Sequence, residues 1–364
     1  MNKQCWMLAA MAVAAMLTGC GPKGRPSDNL LISADAADQL DYRVQWQQSL
    51  ALPKHVAFMH VEPMGDVLAT VDTSRMLSLV QADDGKVRWS TKLGTRAQRI
   101  TAPRRGDGWV TVSAESTAFV YQLTSGDLLR KIELAHVAAT TPAIDGPFAV
   151  YGSPTGVVFA QDLARGIVAW EYKLTGGIVT DVIRAENTII ACDANGSVAA
   201  FNPTRGNLLW RRVAPPWRRV SATPVGNESF VYVASEDQAL YGFERTTGRF
   251  WKYLTESALT TSPVIIADRV FQDVPSEGIV CLDAYTGDVI WRSGKTHGRV
   301  VMMTKNELVL VAQPNRLVLL DSETGEAKGV IDLPKADRVI ADATLAGNLY
   351  LANDKGQLLK LSPK

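Results

Sequence analysis

Residues with reactive side chains are few and widely spaced. The four cysteines stand at 5, 20, 192 and 281 and the four histidines at 55, 60, 136 and 297, each alone, with no His beside a Cys. A metal or redox site needs closely spaced ligands, so no metal is expected. No G-x-S-x-G, H-E-x-x-H, P-loop or paired-carboxylate signature occurs. The acids fall mostly at turn positions, where a carboxylate caps local backbone N–H groups. No catalytic residue, and hence no enzyme, is expected.

One cysteine does carry a chemistry. Lys3 precedes an apolar run from Trp6 to Leu17, which ends in Leu17-Thr18-Gly19-Cys20. Small residues before the cysteine let the backbone enter a lipoprotein signal peptidase, and the Cys20 thiol then receives the lipid. Residues 1–19 read as a lipoprotein signal peptide, Cys20 as the lipidation site, and multiple acyl chains as a firm membrane anchor. Gly21 follows where enteric-type sorting would use Asp for retention. The expected location is therefore the periplasmic face of the outer membrane. Residues 20–41, with Pro22, Lys23, Gly24, Arg25 and Pro26, read as a lipidated tether spanning roughly 5 to 6 Å times the square root of its residue count.

The composition fits a soluble folded body with a real core. The 364 residues are 46% hydrophobic and 21% charged, with 28 Gly and 17 Pro, which is ordinary globular usage. Lys and Arg number 38 against 37 acids, and one Lys lies in residues 1–19, so the remainder balances. A neutral body argues against nucleic-acid binding driven by phosphate neutralisation. With Cys5 removed and Cys20 acylated, Cys192 and Cys281 are left in an oxidising compartment. They could pair, but they fall two repeat units apart on different strand positions, which favours two buried free thiols.

The elements that must position these residues follow from an internal repeat. A hydrophobic strand, a polar residue, a tight turn closed by glycine and a further strand recur with glycines at Gly85, Gly126, Gly166, Gly206, Gly248, Gly287 and Gly325, at intervals of 41, 40, 40, 42, 39 and 38. Glycine supplies the positive φ of the turn. The residue four before it is Gln81, Gln122, Asp162, Asn202, Glu244, Asp283 or Asp321, always an acceptor. Trp follows four after the glycine at Trp89, Trp170, Trp210 and Trp291, and three after it at Trp251. It is absent from the copy running from Gly126 to Arg130 and from the copy at Gly325. A recurrent Trp fits a structural role, its ring buried between neighbouring sheets and its indole N–H bonded to the next unit.

Between the turns the chain alternates as strands do, as in 148–151, 157–160, 230–233 and 239–243, and no window has helical period. Four strands per forty residues make the blade of a β-propeller. The C-terminus supplies three more strands, and Tyr42-Arg43-Val44-Gln45-Trp46 reads as their missing fourth. The expectation is an all-β, eight-bladed propeller of four-stranded antiparallel blades over residues 42–364, seven blades being the alternative. Pairing of the two ends removes exposed sheet edges.

The Asp-x-x-Thr-Gly-x-x-x-Trp pattern, clearest from Asp283 to Trp291, resembles the PQQ-like repeat. With the lipobox and eight blades, the chain is similar to the BamB family of propeller lipoproteins of the outer-membrane β-barrel assembly machinery. That resemblance implies a non-catalytic, monomeric periplasmic scaffold binding other periplasmic or outer-membrane proteins, including the β-barrel assembly complex. The family's acidic Asp-Val-Asp-Thr-Thr-Pro-like stretch corresponds here to Arg219-Val220-Ser221-Ala222-Thr223-Pro224, which keeps Thr-Pro and lacks the acids. Its Leu-Arg loop one blade earlier falls at Gly177-Ile178-Val179-Thr180-Asp181, without a Leu-Arg pair. The quinoprotein dehydrogenases that share the repeat resemble a larger chain with adjacent cysteines, Ca²⁺ and a catalytic Asp; this sequence has no adjacent cysteines, and no cofactor is expected. A propeller binding a small-molecule or cell-wall ligand in its funnel is a further alternative.

The candidate partner-binding segment is the junction of the fourth and fifth repeats, Arg211-Arg212-Val213-Ala214-Pro215-Pro216-Trp217-Arg218-Arg219. Arg and Trp are enriched at binding hot spots and Pro lowers the ordering cost of docking. Arg211, Arg212, Trp217, Arg218 and Arg219 are the candidates. Equally, Arg211 and Arg212 continue the Trp210 strand while Trp217 packs inward.

Overall fold

The computed structural model describes residues 30–97, 99–212, 219–313 and 315–364. They form eight four-stranded antiparallel sheets. Blades 1 to 7 span 58–92, 104–133, 143–173, 183–212, 225–254, 264–292 and 299–332. Blade 8 is built from both ends: Arg338–Ala341, Leu349–Ala352 and Gln357–Pro363 are completed by Tyr42–Ser49, paired antiparallel to the last strand with Tyr42 opposite Pro363. The innermost strands of successive blades touch, and that of blade 8 touches that of blade 1. The ring is an eight-bladed β-propeller closed by the strand expected to close it.

The hydrophobic core is divided among the gaps between blades. Val67, Leu79, Val110 and Tyr121 join blades 1 and 2, Val150, Phe201 and Trp170 join 3 and 4, and Trp46, Val80, Leu68 and Tyr350 join 8 and 1. Each sheet is sandwiched between two others, so middle strands such as Val67–Asp72 and Thr188–Cys192 are buried on both faces. Outer strands such as Ile167–Lys173 face water with much of their length.

The repeat residues explain how blades hold together. The indole Nε1 of Trp46, Trp89, Trp170, Trp210, Trp251 and Trp291 donates to the carbonyl of Ala82, Leu123, Pro203, Arg245, Ala284 and Ser322 on the next blade, at 2.6 to 3.2 Å. Each acceptor stands three residues before the next turn glycine. That glycine lies against the ring: a methyl at Gly126 would fall 2.5 Å from Trp89, at Gly206 2.3 Å from Trp170 and at Gly325 2.3 Å from Trp291. The turn glycines thus serve twice, with φ near +75° (Gly85 +73°, Gly287 +77°) and with room for the indole. The polar residue four before the glycine caps the turn in four copies: one side-chain oxygen of Asp162, Asn202, Asp283 or Asp321 accepts two backbone N–H bonds.

The odd spacing of Trp251 has a geometric cause. In seven blades a β-bulge interrupts the pairing just before this position, as between Ala160 and Gln161 opposite Trp170 and Val168. A bulge inserts one residue. Blade 5 pairs without one, Gly242 opposite Trp251 and Phe243 opposite Phe250. One residue fewer therefore brings Trp251 to the same face.

The structure departs from the sequence reading before residue 42. The segment 30–41, read as tether, packs onto blades 7 and 8: Leu31, Ile32, Ala37 and Leu40 are buried beside Val339, Leu351 and Leu361. Ala34–Gln39 is a short helix capped by Ser33, whose hydroxyl accepts from Ala36 N. Six residues are too few to show a helical period, which is why the sequence concealed it. Residues 1–29, with the expected signal peptide and lipidation site Cys20, lie outside the described residues. Cys192 and Cys281 are free and buried, in blades 4 and 6.

Candidate partner-binding site

Antiparallel pairing puts two kinds of loop on each face of the ring. The turns closed by glycine lie on one face. The connections from one blade to the next lie on the other, beside the hairpins between second and third strands, as Leu134 N bonded to Ser116 O at 2.7 Å and Leu174 N to Gly156 O at 2.8 Å show. The candidate segment 211–219 is the connection from blade 4 to blade 5.

Arg211 and Arg212 end the outer strand Leu208–Arg212 and are spent on internal contacts. Arg212 donates from Nε to Gly248 O and from Nη2 to Thr247 O, each at 2.8 Å, on the turn of blade 5. It reinforces the latch made by Trp210 two residues earlier. Arg211 Nη2 donates to Ser197 Oγ at 3.0 Å and Thr175 Oγ1 at 3.2 Å. Thr175 donates in turn to Asp193, a fully buried carboxylate that also accepts from the backbone N–H of Gly176, Asn195 and Ser197. Of the two readings for these arginines, continuation of the Trp210 strand describes the observed contacts. Trp217 and Arg218 lie outside the described residues. Arg219 is exposed, and its carbonyl accepts from Glu236 N.

The connections of blades 2 to 5 are tied to one another. Asp181 Oδ1 accepts from Thr141 N at 2.8 Å, and Asp181 N donates to Thr223 Oγ1 at 3.4 Å. The segments 177–181 and 219–224, separate in sequence, are therefore neighbours on one surface. Ile178 is buried beneath it, whereas Val179 and Val137 are 43% and 45% exposed. Apolar side chains standing in water on ordered loops that are tied together are the makings of a protein contact.

One feature escaped the sequence reading. A cavity of about 970 Å³ opens on the inner strands of blades 5 to 7, with Val225, Val264 and Val300 as apolar wall and Lys295, His297 and Arg299 at its polar side. His297 Nδ1 lies 2.7 Å from Asp273 Oδ1, whose other oxygen accepts from Gly298 N. Arg299 donates to Val339 O at 2.7 Å, and its burial lowers its pKa below the ordinary arginine value. Lys295, His297 and Arg299 alternate along one stretch of chain, and only tertiary structure brings Val225, Val264 and Asp273 to them. Among the described residues no group of three or more His, Cys, Asp or Glu side chains could hold a metal ion. The missing Trp at Arg130, already visible as a gap in the repeat, falls in the outer strand of blade 2.

Comparison with known proteins follows the same lines. The family model described as outer membrane protein assembly factor BamB matches residues 114–328, more than half of the chain. A curated relative of that name from Yersinia pestis is 19% identical, covering 88% of this chain and 78% of its own. One from Legionella pneumophila (strain Paris) is 22% identical, covering 72% of this chain and 84% of its own. The crystal structure of BamB from Moraxella catarrhalis superposes with a TM-score of 0.68 at 18% identity, over 87% of this chain and 98% of that one. At that identity the likeness speaks to the propeller alone.

Proposed function

The chain belongs to the family of outer membrane protein assembly factor BamB, and from that premise we propose that it is a non-catalytic scaffold for outer-membrane protein assembly, acting through protein contacts with the β-barrel assembly complex. The observation that carries this reading is the joined surface of blades 3 to 5. There Asp181 links the two segments that correspond to the family's expected docking loops. A rigid ring presents them at fixed spacing, which lowers the ordering cost of binding.

In this reading Arg219, Val179 and Val137 face the partner, while Arg211 and Arg212 set the loop's starting point from within. Trp217 and Arg218 belong to the same loop by sequence. The protein works as a lipid-anchored monomer, held to the periplasmic face of the outer membrane through Cys20. Its repeat acids are turn caps with no role in chemistry.

Purification from native membranes in mild detergent, after brief crosslinking, tests the proposal. Recovery of outer-membrane assembly subunits in amounts comparable to the bait is the expected result. Recovery of the bait alone would refute it. The cavity between blades 5 and 7 favours a second reading, a funnel that takes a small-molecule or cell-wall ligand. That reading requires a ligand carried through purification and visible by mass spectrometry.

A further inference from the structure

The latch between blades has one vacant copy. At Gly85, Gly126, Gly206, Gly248, Gly287 and Gly325 a side chain of the preceding blade, in each case Trp, fills the space over the glycine. At Gly166 nothing lies within 4 Å of where a Cβ would stand. The preceding blade carries Arg130 where the others carry Trp, opposite Val120 just past the same bulge. Blade 7 also lacks the Trp, with Gly329 at that position, but blade 8 has no such turn because the two chain ends meet there. Among the described residues, blades 2 and 3 alone have a complete turn and no ring to cover it.

The space left is open to solvent. Two cavities of about 450 and 330 Å³ flank Arg130, the first reaching Gly166 and the second lined by Leu163, Ala164, Trp109 and Pro147. These volumes lie in the range of ligand pockets, roughly 300 to 1,000 Å³. Leu163 stands three before the glycine, the position whose carbonyl accepts the indole N–H in the six filled copies. Leu129 lines both cavities and is 49% exposed. Arg130 is exposed and makes no side-chain hydrogen bond or ion pair with any described residue.

We propose that the gap between blades 2 and 3 is a docking socket for a tryptophan side chain presented by an acidic, extended segment of a partner polypeptide. The six filled copies define the occupant: an indole laid over the turn glycine, its N–H on the carbonyl of Leu163, its ring against Trp109 and Leu129. Arg130 supplies the charge that an acidic flank would meet. The socket lies on the outer rim of the ring, away from the loop surface of blades 3 to 5, and does not depend on the function proposed for that surface.

The test uses purified full-length protein in detergent and two fluorescein-labelled pentapeptides, Glu-Asp-Trp-Asp-Glu and the same peptide with Ala at its centre, followed by anisotropy. The Trp peptide is expected to bind at least about tenfold more tightly than the Ala peptide. Arg130→Trp should fill the socket from within, raise the melting temperature and abolish that preference. Should Arg130→Trp fail to fold, Leu129→Asp, at an exposed position, is expected to remove the preference while leaving melting unchanged. Equal binding of the two peptides overturns the proposal. So does a preference that survives in whichever variant folds.

Discussion

Trp46 donates its indole N–H to the carbonyl of Ala82 at 3.0 Å, and its ring lies against Gly85. The N-terminal strand that completes blade 8 thereby also latches blade 1. The same contact that joins ordinary neighbours thus closes the ring, and sequence position 46 stands in for a repeat that would otherwise follow the C-terminus.

Trp46→Ala should therefore destabilise the whole ring. Trp46 is 7% exposed, and truncation of a buried Trp costs about 3 to 5 kcal/mol. Removal of 42–49 should cost more, since it leaves the backbone of Gln357–Pro363 as an open edge. Urea melts check both. A wild-type midpoint for Trp46→Ala would mean that the ring is closed by some other contact.

Glycine substitutions should separate the two duties of the turn. Gly126 and Gly166 have nearly equal φ, +78° and +76°, so alanine at either carries a left-handed backbone penalty of about 1 to 2 kcal/mol. Only at Gly126 would the new methyl meet a ring, 2.5 Å from Trp89. Gly126→Ala is expected to be clearly the more damaging in thermal melts. Equal costs would show that the indole contact adds nothing.

The propeller was legible because its signals are local and repeated. The turn glycines and their polar partners lie within five residues, and seven copies fix the period. Even blade 8 could be read, because Tyr42–Trp46 has the form of an orphaned outer strand. What stayed hidden depends on distant residues. Leu31, Ile32 and Leu40 are too few to announce a packed segment, and their partners Val339 and Leu361 lie some three hundred residues on. Arg212 resembles a surface hot spot until Thr247 and Gly248 are seen beside it. The tie between Asp181 and Thr223 spans 42 residues, one period of the repeat, but the period alone does not say which atoms bond across it.

Acid should loosen the turns first. Lys328 and the backbone N–H groups of Glu323 and Thr324 hold the Asp321 carboxyl down at about 2, against 3.8 for a free side chain; the N–H groups of Thr286 and Tyr285 lower Asp283 in the same direction. A lowered carboxylate contributes stability that is fully present above its unfolded value. That stability is lost as the pH falls from about 4 through the folded value. Asp321→Asn should flatten the stability curve between about pH 4 and pH 2 while changing little of its shape above pH 5. An unchanged acid slope would count against the cap.

The two buried thiols should be inert in the folded protein. Burial pushes the Cys281 thiol up to about 12, and that of Cys192, with Asp193 beside it, higher still. The thiolate is the reactive form. Iodoacetamide at pH 8 should leave both unlabelled by peptide mapping, and both should label in urea. Labelling of either in native protein would mean that its blade opens.

Site-specific photocrosslinking in living cells tests the proposed scaffold role most directly. A photoreactive residue at Val179 or Arg219, on the surface joined by Asp181, should give adducts with a subunit of the outer-membrane assembly machinery. The same residue at Glu323, on the opposite face, should not. Adducts from Glu323 alone, or none from Val179 and Arg219 in cells where the protein is folded and abundant, would contradict the assignment.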